Sequence, residues 1–214
     1  MTHSLVGNLL VASTLVTESV FTRGVCLMMH HDSEGAIAVI LNRPIWPPPT
    51  ELIRMIVGEP EDGDDMEETP APHSRWDAGD VAPVASGDSP PSASGMIHFG
   101  GPLSGPVLAI HGTMALAEAQ TGNGIYVAAQ KDHLEQLLRD KPSDYRLIIG
   151  HAGWTAGQLD TEIHAGLWHV VPATADMVFG AQSDLWPLLI GRATGSTLAR
   201  WVGAPDNPTA TALN

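Results

Sequence analysis

The stretch from Leu147 to Ile163, Leu-Ile-Ile-Gly-His-Ala-Gly-Trp-Thr-Ala-Gly-Gln-Leu-Asp-Thr-Glu-Ile, constrains the fold more than any other. It reads as a buried strand that breaks at Gly150 and turns directly into a capped helix. Thr155 followed by Gln158 three residues later is a capping-box pattern, in which each side chain satisfies an orphan amide of the first turn. Gly150 and Gly153 supply backbone that bends sharply or lets another chain approach closely. Leu159 and Ile163 share one helix face, and Gly166 is placed to end a helix over 156–165.

Strand and turn signals elsewhere build around this unit. Residues 8–12 read as a strand. Residues 24–31 and 36–42 form a β-hairpin across the Asp32-Ser33-Glu34-Gly35 turn. Both hairpin arms are apolar nearly throughout, so they are covered on both faces rather than on one. Pro44 to Pro49 stops regular structure, and Thr50 caps a short helix to Val57. Met96 to Phe99 and Val107 to His111 read as a hairpin bridged by a Gly/Pro loop. Residues 125–129, 145–150 and 167–171 complete the strands. Helices are expected over 131–140, where Leu134, Leu137 and Leu138 share a face, and from Asp184 to about Val202. This order of elements predicts a single α/β (α+β) domain over residues 1–214, with a mixed, partly antiparallel β-sheet sandwiched by helices.

Residues 58–95 change character, with Pro, Gly, Ser, Asp and Glu replacing apolar periodicity. Such composition predicts a flexible acidic insertion, and the tail from Gly203 reads as frayed. The net charge of −14 is concentrated there: residues 59–94 carry ten acidic residues against Arg75 alone, a net −9, which leaves −5 elsewhere. A polyanion is a poor partner for nucleic acid, whose binding comes largely from Lys and Arg neutralising phosphates. Anionic membranes are disfavoured for the same reason. The single cysteine, Cys26, lies in an apolar strand and reads as a buried inert thiol in a reducing cytosol. Residues 1–8 contain no Lys or Arg to form the basic region of a secretory signal. No apolar run approaches the ~20 residues of a spanning helix, and a cytoplasmic setting is expected.

Several segments resemble the AlgH-like (YqgE-like) family of bacterial proteins. They are Gly150-His151-Ala152-Gly153-Trp154 with Gly157-Gln158-Leu159, Glu34-Gly35-Ala36 through Asn42-Arg43-Pro44, Phe99-Gly100-Gly101-Pro102, and Leu9 to Ala12 with Phe21 and Val25. The matches cover most of the chain outside roughly 46–95 and the last two dozen residues. The resemblance implies a shared fold but no settled activity. The label of transcriptional regulator carried by some members is the nearest thing it offers to a function.

No residue pattern names a reaction. The chain lacks H-E-x-x-H, a cysteine pair and G-x-S-x-G; Ser104 has no assigned base, and the glycines near 150–157 match neither a Walker loop nor G-x-G-x-x-G. No catalytic residue, metal ligand or cofactor is therefore assigned. His98, His111 and His151 each lie at or beside a strand end, so a weak hydrolase reading would join one of them to a carboxylate such as Asp160. Candidate ligand- or partner-binding residues are Asn42, Arg43, Gly100, Gly101, Trp154, Ala156, Gly157 and Gln158, because strand ends in layered α/β proteins are common ligand sites. Arg43 and the amides of Ala156 and Gly157 could receive a small anionic ligand; structural roles for the glycines are the competing reading. The leading expectation is a regulatory or protein-interaction protein with a protein partner. A small anionic-ligand-binding module is the alternative.

Overall fold

The structure, a computed structural model, describes residues 4–17, 19–46, 48–57, 97–122, 124–180 and 185–202. The acidic insertion expected at 58–95 and the tail from 203 lie outside the described residues.

The strands fall into two five-stranded sheets. One has the order β10-β1-β2-β3-β9, built from Trp168–Pro172, Asn8–Ala12, Val25–His31, Gly35–Ile40 and Ala152–Thr155. Every neighbouring pair in it is antiparallel. The other has the order β4-β8-β5-β7-β6, built from Ile97–Phe99, Tyr145–Ile149, Leu108–His111, Tyr126–Ala128 and Ala119–Gln120. Its β4–β8 pair is parallel and the rest are antiparallel.

The unbroken apolar strands follow from this layering. Leu9, Val11, Leu27 and Val39 of the first sheet share a core with Ile110 and Ile148 of the second, and with Val178, Leu185 and Leu189 of helices α4 (Ala175–Phe179) and α5 (Leu185–Val202). The other face of the first sheet buries Leu10, Cys26, Met28 and Ile40 together with Leu159 of α3 (Gln158–His164). The other face of the second sheet buries Ala109, Ala128 and Leu147 with Ile56 of α1 (Thr50–Val57) and with Leu134 and Leu137 of α2 (Lys131–Asp140). Each sheet thus has a helix layer on one side and the opposing sheet on the other. Burial on both faces removes the period-two alternation that a solvated face would impose.

The α/β class expected from the sequence holds, with its helices and its mixed strand directions. Its strands, however, divide between two sheets, since a strand buried against a helix layer and a second sheet has the same apolar pattern as one buried between helices. The 24–42 hairpin forms as β2 and β3. Asp32 Oδ1 accepts the Glu34 and Gly35 amides at 2.8 and 3.2 Å and closes its turn.

Two local expectations are corrected. The strand ending at Ile149 does not turn directly into a helix. Gly150, at φ +76°, redirects the chain into β9, which joins the other sheet. Helix α3 then begins at Gln158 behind Gly157, whose φ is +69°. The capping box is half formed: Gln158 Oε1 accepts the Thr155 amide at 3.1 Å, while no side chain caps the helix itself. Nor do 96–99 and 107–111 make a hairpin. They flank β8 on opposite sides, β4 parallel to it and β5 antiparallel. The Gly100-Gly101 loop carries the chain over β8 rather than back along β4.

Candidate functional site

Three of the family-like segments, those around Arg43, Gly100 and His151, meet where the two sheets join. After β3 the chain leaves the first sheet and runs beside β4, with Phe99 N donating to Arg43 O at 2.8 Å and Ile45 N to Ile97 O at 2.8 Å. Gly100 N donates to Ile149 O at 2.7 Å, and Gly100 O accepts Ile40 N at 2.8 Å. Leu103 and His151 exchange both backbone hydrogen bonds, at 3.0 and 2.9 Å. A Cβ at Gly100 would collide with Gly150 O, and one at Gly101 with the His151 carbonyl. These glycines let two backbones cross in contact.

The polar candidates turn inward. Asn42 Oδ1 accepts the Val25 amide at 3.0 Å, and its Nδ2 donates to Arg23 O at 2.8 Å. Arg43 donates to Asn42 O at 3.0 Å and to Thr22 O. Together they fasten the 22–25 loop to the end of β3. Trp154 and Trp168 are both buried, and both indoles donate to Glu162 Oε2, at 2.9 and 2.7 Å. Gln158 Nε2 donates to Glu162 Oε1 at 2.9 Å. Phe21 packs on both indoles, with ring centroids 6.1 and 5.6 Å away. Ala156 and Gly157 are exposed in the turn that precedes the first residue of α3. The Arg43 guanidinium is thus bonded to carbonyls of the chain itself, while Ala156 and Gly157 lie at the surface.

The three strand-end histidines do not converge. His98 is in register with Ile148, whose side chain faces the core between the sheets. His111 is in register with Tyr145, which belongs to the outer cluster under α1 and α2. The two therefore point to opposite faces, on strands two spacings apart, about 10 Å. Both are fully buried, and burial pushes the His111 pKa down. His151 sits at the sheet junction, half-buried. Asp160 offers its carbonyl to His164 Nδ1 at 2.6 Å. Among the described residues, no three His, Cys, Asp or Glu side chains are placed to hold a metal ion. Cys26 is buried, with its pKa pushed up to about 12 by that burial, as expected of an inert thiol.

What the junction leaves open is a groove of about 460 Å³ beside His151. Its floor is the β3–β9 face, where Ile37 lies opposite Gly153 and Gly35 opposite Thr155. Leu103 and His151 form one side; His30, Asp32 and Glu34 form the other. Ile37 and Leu103 are 41% and 48% exposed, large apolar side chains left in solvent. His30 Nε2 lies 2.8 Å from Asp32 Oδ2. The Glu34 amide hydrogen bond is the main cause holding the Asp32 carboxyl below its usual pKa, with His30 and the Gly35 amide adding to it. Sequence reading missed these residues because the segment 32–35 has the composition of any hairpin turn.

The chain is similar over nearly its whole length to proteins of one kind. The AlgH-like family model matches residues 9–197. The chain belongs to the AlgH-like family. A UPF0301 protein of Chlorobium chlorochromatii is 31% identical over 211 residues, covering 94% of this chain and 93% of its own. One from Xylella fastidiosa is 31% identical over 194 residues, covering 89% and 90%. The solution structure of the AlgH protein from Pseudomonas aeruginosa superposes with a TM-score of 0.62 at 18% identity, over 97% of this chain and 100% of that one. A crystal structure of a Corynebacterium diphtheriae protein gives 0.62 at 21%, over 90% and 88%. At these identities the two structures establish the shared fold.

A second residue invisible to motif reading is Arg146 of this AlgH-like chain. It is fully buried and donates from Nη2 to Gly180 O at 3.0 Å, while among the described residues Nε and Nη1 have no hydrogen-bond partner. Burial lowers its pKa to about 10. The native chain then binds this proton less readily than the unfolded chain does. Arg146 therefore costs stability throughout the range below about pH 10, and the cost fades as pH rises from there towards the ordinary guanidinium range. Arg146→Met should raise stability at pH 7 by roughly 1–3 kcal/mol in urea denaturation. A loss of stability would show that charged contacts offset the burial.

Proposed function

We propose that this AlgH-like chain is a regulatory, non-catalytic protein-interaction module of the cytosol, and that the groove over β3 and β9 is its contact site. The observation that carries this reading is the division of labour among the family-like segments. Asn42, Arg43, Trp154 and Gln158 direct their polar groups into the chain itself. Ile37 of the same segments and Leu103 just beyond them stay exposed around an open groove. Exposed apolar side chains with a polar rim are the usual composition of a protein contact. The net charge of −14 favours regulation through a protein over direct DNA contact. The cytosolic setting is supported by the lone cysteine, and among the described residues no helix is long and apolar enough to cross a membrane.

The test is a quantitative affinity capture with the tagged wild-type chain and a Leu103→Lys variant of matched circular dichroism. A protein held at a fixed ratio by the wild type should fall at least several-fold with the variant. Equal recovery of all bound proteins by both would remove the groove from this reading. Tight, salt-sensitive binding to duplex DNA in a mobility-shift titration would overturn the preference for a protein partner.

A further inference from the structure

We infer that the groove receives a cationic side chain, lysine or arginine, carried by a protein partner and bedded through its aliphatic stem on Ile37 and Leu103. The inference rests on the interaction reading above and specifies the chemistry of the partner.

Three features of the groove select this occupant. The first is its charge. Asp32 and Glu34 line one side, and among the described residues no Lys or Arg lines the groove. The Asp32 carboxylate is already bonded to His30 and to two amides of its own turn. Glu34 is exposed, and among the described residues its carboxylate has no ion pair or side-chain hydrogen bond. An anionic segment would meet two carboxylates, and a like-charge juxtaposition suppresses binding.

The second feature is the apolar stretch beside those carboxylates. Ile37 lies on the floor between the acidic turn and Leu103 on the far side. A small inorganic cation would leave both in water. Lys and Arg instead place three or four methylenes along an apolar surface and keep the charge at its end.

The third is the floor itself. Gly153 lies opposite Ile37, so no side chain rises between Ile37 and Leu103. A Cβ at Gly153 would first meet Leu103 Cδ1, at 2.9 Å, with the next contact at 3.9 Å. The obstacle is the far end of a flexible side chain, so a larger residue at 153 would enter the groove while the backbone stays in place.

Butylguanidinium, a four-carbon chain ending in a guanidinium, is the simplest probe. It should be titrated into the ¹⁵N-labelled full chain while the amides of Gly35, Ile37, Gly153 and Thr155 are followed by NMR. Saturable shifts confined to this groove are expected at millimolar concentration. Butyrate, with the opposite charge, and guanidinium, with no chain, should give shifts that do not saturate. Glu34→Gln should weaken butylguanidinium by about threefold, the scale of an exposed ion pair. Gly153→Val should abolish saturation with the spectrum otherwise preserved. Butyrate binding as well as butylguanidinium, or an unchanged titration in Gly153→Val, would overturn the inference, as would no saturable shift at all. If Leu103→Lys loses a captured protein while butylguanidinium fails to bind, the interaction reading stands and the cationic specificity falls. If butylguanidinium binds as expected but no protein depends on Leu103, the groove chemistry stands and the protein-interaction reading falls.

Discussion

A Gly101→Ala chain should lose about 4 kcal/mol or more of stability and fail to hold the junction between the two sheets. Gly101 has φ +150°, a conformation that side chains rarely adopt, and a Cβ there would lie on the carbonyl of His151. Strain of this kind costs on the order of 1–3 kcal/mol. The steric term adds a comparable amount, because the obstacle is backbone and cannot rotate away. Relief would require the 100–103 loop to retreat, breaking the paired hydrogen bonds between Leu103 and His151. Gly124→Ala is the control: its φ is +71°, yet nothing lies within 4 Å of the added carbon. It should cost only the conformational term, about 1–2 kcal/mol. Urea denaturation of both variants makes the comparison. Equal losses would show that the close crossing of backbones contributes nothing.

Glu162→Ala should be nearly as damaging, at roughly 3–5 kcal/mol. The carboxylate accepts from Trp154 and Trp168 through one oxygen and from Gln158 through the other. The indoles are only 7% and 4% exposed, so water cannot readily replace the lost acceptor. Each buried donor left unsatisfied costs about 1–3 kcal/mol, and hydrogen bonds to a charged group lie at the upper end of net contributions. A double-mutant cycle checks the mechanism. In a Trp168→Phe background one of the two donors is gone, and Glu162→Ala should cost at least 1 kcal/mol less there. An unchanged cost would place the effect of Glu162 outside the indole network.

Several of the residues read from sequence as binding candidates carry hydrogen bonds within the chain itself. Gln158 and Glu162 are one helical turn apart, so their contact was within reach of a local reading. The acceptance of Trp168 by the same carboxylate was not, because Trp168 returns on β10 and its approach depends on sheet order. Asn42 and Arg43 were legible as turn and loop residues. Their bonds to Val25, Arg23 and Thr22 require the β2–β3 register. The groove was the least legible part: His30, Asp32, Glu34 and Ile37 are a hairpin end until Leu103 and His151 are brought beside them. Strand β9 escaped notice for a related reason. Its four residues include Gly153, and a Gly-x-x-Gly run before a helix has the local pattern of a loop.

Local chemistry, read residue by residue, determined the hairpin at β2 and β3, helix α2, the buried state of Cys26 and the need for glycine at the sheet junction. These depend on periodicity, turn propensity and backbone freedom within a few residues. Only the tertiary structure decided which sheet each strand joins, where the histidines point and what remains open to solvent. Two faces buried against different layers leave the same apolar signature. The choice between layers is made by contacts distant in sequence, such as β3 on β9 and β4 on β8, once Gly100, Gly101 and Gly150 allow the backbones to cross.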